Sequence, residues 1–209
     1  MRWPSWGSDP LKRRGKNSAS DTKAGGFPSP RLSSRRAYDG KVISVDVDTV
    51  RFPDGTTGEI EMVRHPGAAA IVALSEADSA KPRVLLLRQY RYAADGFLLE
   101  IPAGRLDAGE SSLECARREL REETGYRALN WKSILTMYTT PGFTDERIHL
   151  FLASELSAGE AAVERDEFLE VEMVPFASAI EMISAGEIQD AKTIAGLLVV
   201  SKLLLRGQP

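Results

Sequence analysis

Three glutamates, Glu119, Glu122 and Glu123, stand three and four residues apart within the stretch 104–126. On a helix that spacing puts them on one face. Like charges at such offsets repel, so helix stability gives no reason for them. A divalent cation does: hard ions such as Mg²⁺ take carboxylate oxygens and keep positions open for water and substrate phosphates. A different face carries Leu113, Ala116 and Leu120, an apolar seam for docking onto a core. Arg118 follows Glu114 by four residues and precedes Glu122 by four, the offset of helical ion pairs. An exposed helix laced with charge pairs would explain that arginine. It would explain neither Glu110 ahead of the helix nor the glycines at 104 and 125.

The elements around this stretch must position it. Ser111 and Glu114 read as a capping box that starts the helix, and Gly125 closes it. Upstream, residues 43–47, 49–52 and 59–62 alternate apolar and polar side chains, which predicts short strands with Ile43, Val45 and Val47 sharing a face. Pro53-Asp54-Gly55 predicts a turn between the last two. Two apolar runs, 68–74 and 84–87, predict buried central strands. Residues 98–101 continue as a strand into Pro102-Ala103-Gly104. After the helix come strands near 131–138, 148–153 and 171–174, the last preceded by an acidic loop at 160–167. Helices over 176–185 and 191–205 end the chain. Strand and helix alternate without regular βαβ spacing, so an α/β (α+β) fold with a mixed sheet between helices is expected.

Composition narrows the classes. The chain has 209 residues, 43% of them hydrophobic, which allows one domain with a sizeable core. The single cysteine, Cys115, excludes a disulfide framework and a multi-cysteine zinc site, and reads as a small packing residue. Only His65 and His149 are present, which discourages a histidine-based metal site. No apolar run is long enough to span a bilayer, and the first residues lack a signal-peptide core, so a cytoplasmic setting is expected. Residues 1–36 hold nine Lys/Arg and two Asp, a net charge of +7, whereas the rest holds 18 basic and 28 acidic residues, a net charge of −10. An acidic body argues against nucleic-acid binding, and the Ser/Gly/Pro-rich basic stretch reads as a disordered tail over 1–37. Residues 38–66 form an N-terminal β region too small for a core of its own, which must pack on the body, a second copy or both, and is expected to dimerise. Residues 67–209 form the main domain.

The stretch 104–126 resembles a complete Nudix box. That motif runs Gly, five residues, Glu, seven residues, Arg-Glu, a bulky apolar residue, one residue, Glu-Glu, one residue, Gly and a bulky residue. Gly104, Glu110, Arg118, Glu119, Leu120, Glu122, Glu123, Gly125 and Tyr126 fill every fixed position. Pro141, sixteen residues after Gly125, resembles the ADP-ribose pyrophosphatase subgroup, as do Leu86-Leu-Arg-Gln89-Tyr-Arg91 and Leu99-Glu-Ile-Pro-Ala-Gly104. The resemblance implies a Nudix-type α/β/α sandwich preceded by a small antiparallel strand region, and a homodimer. It implies Mg²⁺-dependent (or Mn²⁺-dependent) hydrolysis of a nucleoside diphosphate sugar, with ADP-ribose giving AMP and ribose 5-phosphate. Glu119 and Glu123 would be the main metal ligands, assisted by Glu122 and the Ala103 carbonyl, with Arg118 orienting the box glutamates and Glu110 ligating or orienting. Glu167 matches a glutamate that positions or deprotonates the attacking water, with Glu164 and Asp166 as rivals. Arg64, Arg91 and Pro141 match substrate-binding positions; a strand-end arginine facing water is the plain alternative for Arg64.

One departure bears on the substrate. Relatives that clamp adenine between tryptophans carry one where this chain has Glu59, and residues 56–64 contain no aromatic. Tyr38, Phe52 or Phe143 would have to substitute, and GDP-mannose or another nucleotide sugar is the alternative substrate. Two further alternatives are a nucleotide-sensing Nudix-fold binder without turnover, against which the intact glutamate set speaks, and an RNA-end pyrophosphohydrolase drawn to RNA by the basic tail.

Overall fold

The computed structural model describes residues 30–75, 81–159 and 169–206. Two sheets result. The smaller one pairs β1 (Arg31–Asp39), β2 (Ser44–Arg51) and β3 (Thr57–Arg64) in antiparallel order β1-β2-β3. Its β2–β3 turn is the predicted one: Gly55 takes φ 88°, and Asp54 Oδ1 accepts from the Thr56 N–H at 3.0 Å. Residues 1–29 of the expected tail lie outside the described residues. Residues 31–37 do not fit that reading, because β1 begins at Arg31 and pairs with β2 along its whole length. Its polar sequence, Arg-Leu-Ser-Ser-Arg-Arg, hides a strand that is exposed on both faces and therefore shows no apolar alternation.

The alternation read for residues 43–47 holds in β2, with the acidic face turned inward. Burial falls on Asp46 and Asp48, 6% and 5% exposed, while Val45 and Val47 remain half-buried. Arg36 and Arg64 clasp the two aspartates: Arg36 Nε lies 2.5 Å from Asp46, Arg64 Nε 3.0 Å from Asp46, and Arg64 Nη2 donates to Asp48. A carboxylate paired in this way tolerates burial that it would otherwise resist.

The main sheet runs β10 (Leu169–Pro175), β5 (Arg83–Arg91), β4 (Ala68–Ser75), β9 (Arg147–Ser157), β8 (Arg127–Tyr138), with β6 (Gly96–Glu100) on β5 and β7 (Ala103–Arg105) on β4. It is mixed: β4 and β9 are parallel, and the other pairings are antiparallel. Strand β4, Ala-Ala-Ala-Ile-Val-Ala-Leu-Ser, lies at the centre and feeds both faces. Ala69, Ile71 and Ala73 pack with Leu85, Leu87 and Phe151 against Cys115, Ala116 and Leu120 of α1 (Ser112–Thr124). Ala70, Val72 and Leu74 pack with Val84, Leu86 and Leu150 against α2 (Phe176–Ala185) and α3 (Ala191–Arg206). This is the expected helix–sheet–helix sandwich, and the apolar seam predicted for α1 is the face it docks.

The two sheets meet at the end of β3. Val63 N–H donates to the Phe143 carbonyl at 2.8 Å, and Arg64 Nη1 lies 3.1 Å from Asp145. Among the described residues no helix is long and apolar enough to cross a membrane.

Candidate active site

Helix α1 starts on the capping box read from the sequence. The Ser111 hydroxyl accepts from the Glu114 N–H, and the Glu114 carboxylate accepts from the Ser111 N–H at 2.9 Å. Gly125 ends the helix in the left-handed conformation, φ 74°. Between the caps, the acidic face closes on Arg118. Its Nε and Nη2 each lie 2.9 Å from a Glu110 oxygen, its Nη1 lies 2.7 Å from Glu119 and 3.3 Å from Glu122, and Nη2 also donates to the Arg105 carbonyl. The fork on Glu110 draws that carboxyl down from 4.5 to about 2, against the opposing effect of burial. Arg118 is correspondingly held more firmly protonated than a free arginine, first through Glu110.

The helix is pressed against the loop that precedes it. A Cβ at Gly104 would collide with the Glu119 carboxylate, so only glycine allows this approach. Glu123, 2% exposed, accepts from the Ala103 N–H at 3.0 Å. The Cys115 Sγ sits 3.4 Å from the Gly104 and Arg105 carbonyls, and burial, with Glu119 and Glu110 nearby, raises its thiol to about 12. That thiol is a packing group, as expected, and not a nucleophile.

Ala103, Gly104 and Arg105 form one side of a cleft of about 520 Å³. Its other walls include Arg91, Lys192, Tyr138, Thr139, Thr140, Glu146 and His65. The acidic face of α1 therefore meets the cleft through the 103–104 backbone. Hard carboxylate oxygens, a glycine shaved to admit one of them and an ordering guanidinium are donor chemistry that suits a divalent cation. Among the described residues no three of His, Cys, Asp and Glu form a ready-made cage. An Mg²⁺-type site built on one or two carboxylates and substrate phosphates needs none. Glu119, Glu122, Glu123 and the Ala103 carbonyl are the groups that could hold such an ion.

The remaining sequence-derived residues separate. Arg91 lines the cleft and forks onto Glu100 with two 2.8 Å contacts. Pro141 follows Thr139 and Thr140 of the cleft rim, in an exposed turn where the Thr140 carbonyl accepts from Phe143 and Thr144. Arg64 does not join them; it lies among Asp46, Asp48 and Asp145, beside a smaller neighbouring pocket. Glu167, Glu164 and Asp166 lie outside the described residues. Of the aromatics considered for a base, Tyr38, Phe52 and Phe143 are exposed elsewhere, whereas Tyr138, with Arg147 5.0 Å from its ring centroid, lines the cleft. Sequence reasoning missed Tyr138 and also the group Glu100, Asp190, Lys192 and Thr193. A lone glutamate in the apolar run Phe97-Leu-Leu-Glu-Ile101 was the available signal.

Comparison with known proteins agrees with this geometry. The NUDIX domain family profile matches residues 64–197. An ADP-ribose pyrophosphatase of Bacillus subtilis is 39% identical over 164 residues, covering 78% of this chain and 86% of that protein. A GDP-mannose pyrophosphatase of Cronobacter sakazakii is 39% identical over 169 residues, covering 74% and 85%. In three dimensions the chain matches a crystal structure described as an ADP compounds hydrolase, with TM-score 0.73 at 21% identity, covering 89% of this chain and all of that one. The chain belongs to the Nudix family. It is a Nudix hydrolase, with its box on α1 and the loop before it.

Proposed function

We propose that the cleft binds a nucleoside diphosphate sugar and hydrolyses its pyrophosphate, with ADP-ribose giving AMP and ribose 5-phosphate. The observation that carries this reading is the contact of Glu123 and Glu119 with Ala103 and Gly104, two residues that line the cleft. The sequence likeness to ADP-ribose pyrophosphatase supports the substrate class, and the likeness to GDP-mannose pyrophosphatase makes GDP-mannose the second candidate.

The Nudix family resemblance supports a divalent metal, and we assign it as Mg²⁺, with Mn²⁺ as a substitute, held by Glu119 and Glu123 with Glu122 and the Ala103 carbonyl. A bound divalent ion neutralises phosphate charge and lowers the pKa of a coordinated water. The chain's own residues do the rest. Arg118 orients Glu119 and Glu122, and Glu110 anchors Arg118 in turn. Arg91 offers a cation to the phosphates from the opposite wall, and the Pro141 turn shapes the rim. Arg64, already engaged by three aspartates, is placed behind Arg91 as a substrate contact. Glu167 is assigned to the attacking water, on the motif alone.

A homodimer through the 38–66 region accompanies this reading. Strand β1 is exposed on both faces, which leaves the small sheet a surface for a second copy to cover. Residues 67–209 are assigned as the catalytic domain, the basic segment as an appendage, and the setting as cytoplasmic. A panel of ADP-ribose, ADP-mannose, GDP-mannose and NADH, run with Mg²⁺ in ¹⁸O-labelled water, tests the substrate. The reading predicts preferred turnover of ADP-ribose and label in one monophosphate only. Equal rates across the panel would remove the ADP-ribose assignment.

A further inference from the structure

The wall of the cleft opposite the box rests on a buried ion network of which the reaction above uses only Arg91. Glu100 ends β6 at 2% exposure. Arg91 holds it by Nε to Oε1 and Nη2 to Oε2, each at 2.8 Å. Lys192 Nζ donates to the same Oε2 and lies 3.1 Å from Asp190 Oδ1. Asp190 Oδ2 accepts from the backbone N–H and the hydroxyl of Thr193, at 2.9 and 2.6 Å. The Thr193 hydroxyl oxygen accepts from the Ile101 N–H at 2.9 Å. Arg91, Asp190 and Lys192 all line the cleft.

Stability does not ask for this arrangement. Desolvating several charges is often no better than packing apolar groups of similar volume. Asp190 caps α3 in the ordinary way, but a lysine in the first turn of a helix faces the positive end of its dipole. The chain tolerates that cation where it can share Glu100 with Arg91.

The charge balance of the wall shows what the sharing does. Glu100 and Asp190 are offset by Arg91 and Lys192. Without Lys192 the wall would carry a net negative charge, and Glu100 would lose the contact that fixes its Oε2 beneath Arg91. With Lys192 present, Arg91 is fixed by Nε and Nη2, and its Nη1 donates no hydrogen bond among the described residues. That leaves one N–H edge of the fork for an anionic oxygen.

We propose that Lys192 is a positioning residue for the hydrolysis: by sharing Glu100 with Arg91 it holds Arg91 in the cleft wall, ready for a phosphate oxygen of the substrate. This rests on the nucleotide-sugar reading above. The ion pairs of Lys192 run to Glu100 and Asp190, so its effect is expected on substrate binding rather than on the metal.

The test is steady-state kinetics with ADP-ribose and Mg²⁺ on wild type, Lys192→Met, Lys192→Arg, Arg91→Ala and the Arg91→Ala/Lys192→Met double variant. Mn²⁺ affinity of each protein is read separately by electron paramagnetic resonance. Lys192→Met is expected to raise KM about tenfold, with kcat within about threefold, while Lys192→Arg recovers most of the loss. Mn²⁺ affinity should not change, and in the Arg91→Ala background Lys192→Met should add little. An unchanged KM in Lys192→Met overturns the proposal, as does a fall in kcat alone. A full tenfold rise persisting without Arg91 also overturns it, and makes Lys192 a direct substrate contact. A wild-type enzyme that cleaves no nucleotide sugar overturns the functional reading first, and this inference with it.

Discussion

Arg118 decides how the box carboxylates stand, because one guanidinium serves Glu110, Glu119 and Glu122 together. Removing a box carboxylate should therefore hurt chemistry more than folding. Glu119→Gln and Glu123→Gln should each lower kcat about a hundredfold or more, as when charge stabilisation in the transition state is lost. Near-wild-type turnover in either variant would remove that residue from the assigned set. Gly104→Ala tests the close approach: the new methyl displaces the Glu119 carboxylate, so activity should fall while the far face of the sheet is undisturbed. A normally active Gly104→Ala enzyme would show that Glu119 works from some other position. Glu110 gives a pH prediction. Its folded pKa lies below the ordinary value, so its pairing with Arg118 stabilises fully above about pH 4.5 and is lost as pH falls towards about 2. Denaturant titrations across that window should show a shallower loss for Glu110→Gln than for wild type.

At the scale of elements, α1 is a docked helix whose ends are set locally. Ser111→Ala removes the capping side chain and should cost about 1 kcal/mol in chemical denaturation, with the Nudix chemistry otherwise intact. An unchanged midpoint would mean that docking alone sets the helix start. This helix was also the most legible part of the chain, since its caps, apolar seam and acidic face are all encoded within consecutive residues. The central strands were legible for the same reason, as apolar runs bounded by breaks. What could not be read was whatever depends on partners distant in sequence. Asp46 and Asp48 are buried only because Arg36 and Arg64 arrive from neighbouring strands. Lys192 meets Glu100 across 92 positions of chain. Strand β1 is polar on both sides, so its pairing with β2 was its only sign, and pairing leaves no trace in hydropathy.

For the whole molecule, the fold joins a two-faced sandwich to a small sheet that, among the described residues, adds no side chain to either buried apolar cluster. The sandwich carries the Nudix box, and the small sheet carries an exposed edge strand, β1. A homodimer predicts twice the 22.9 kDa chain mass in light scattering, and charge reversal at Arg35 in the exposed strand should shift it towards the monomer. A monomer at micromolar concentration would leave the small sheet needing another partner. The proposed reaction is cleavage of a nucleotide-sugar pyrophosphate with a divalent metal at the α1 face. Phosphorus NMR of ADP-ribose incubated with the protein and Mg²⁺ tests it most directly. The paired diphosphate resonances should give way to two phosphate-monoester resonances, and excess EDTA should stop the change. Persistent diphosphate signals with Mg²⁺ present, or unabated cleavage after chelation, would contradict it.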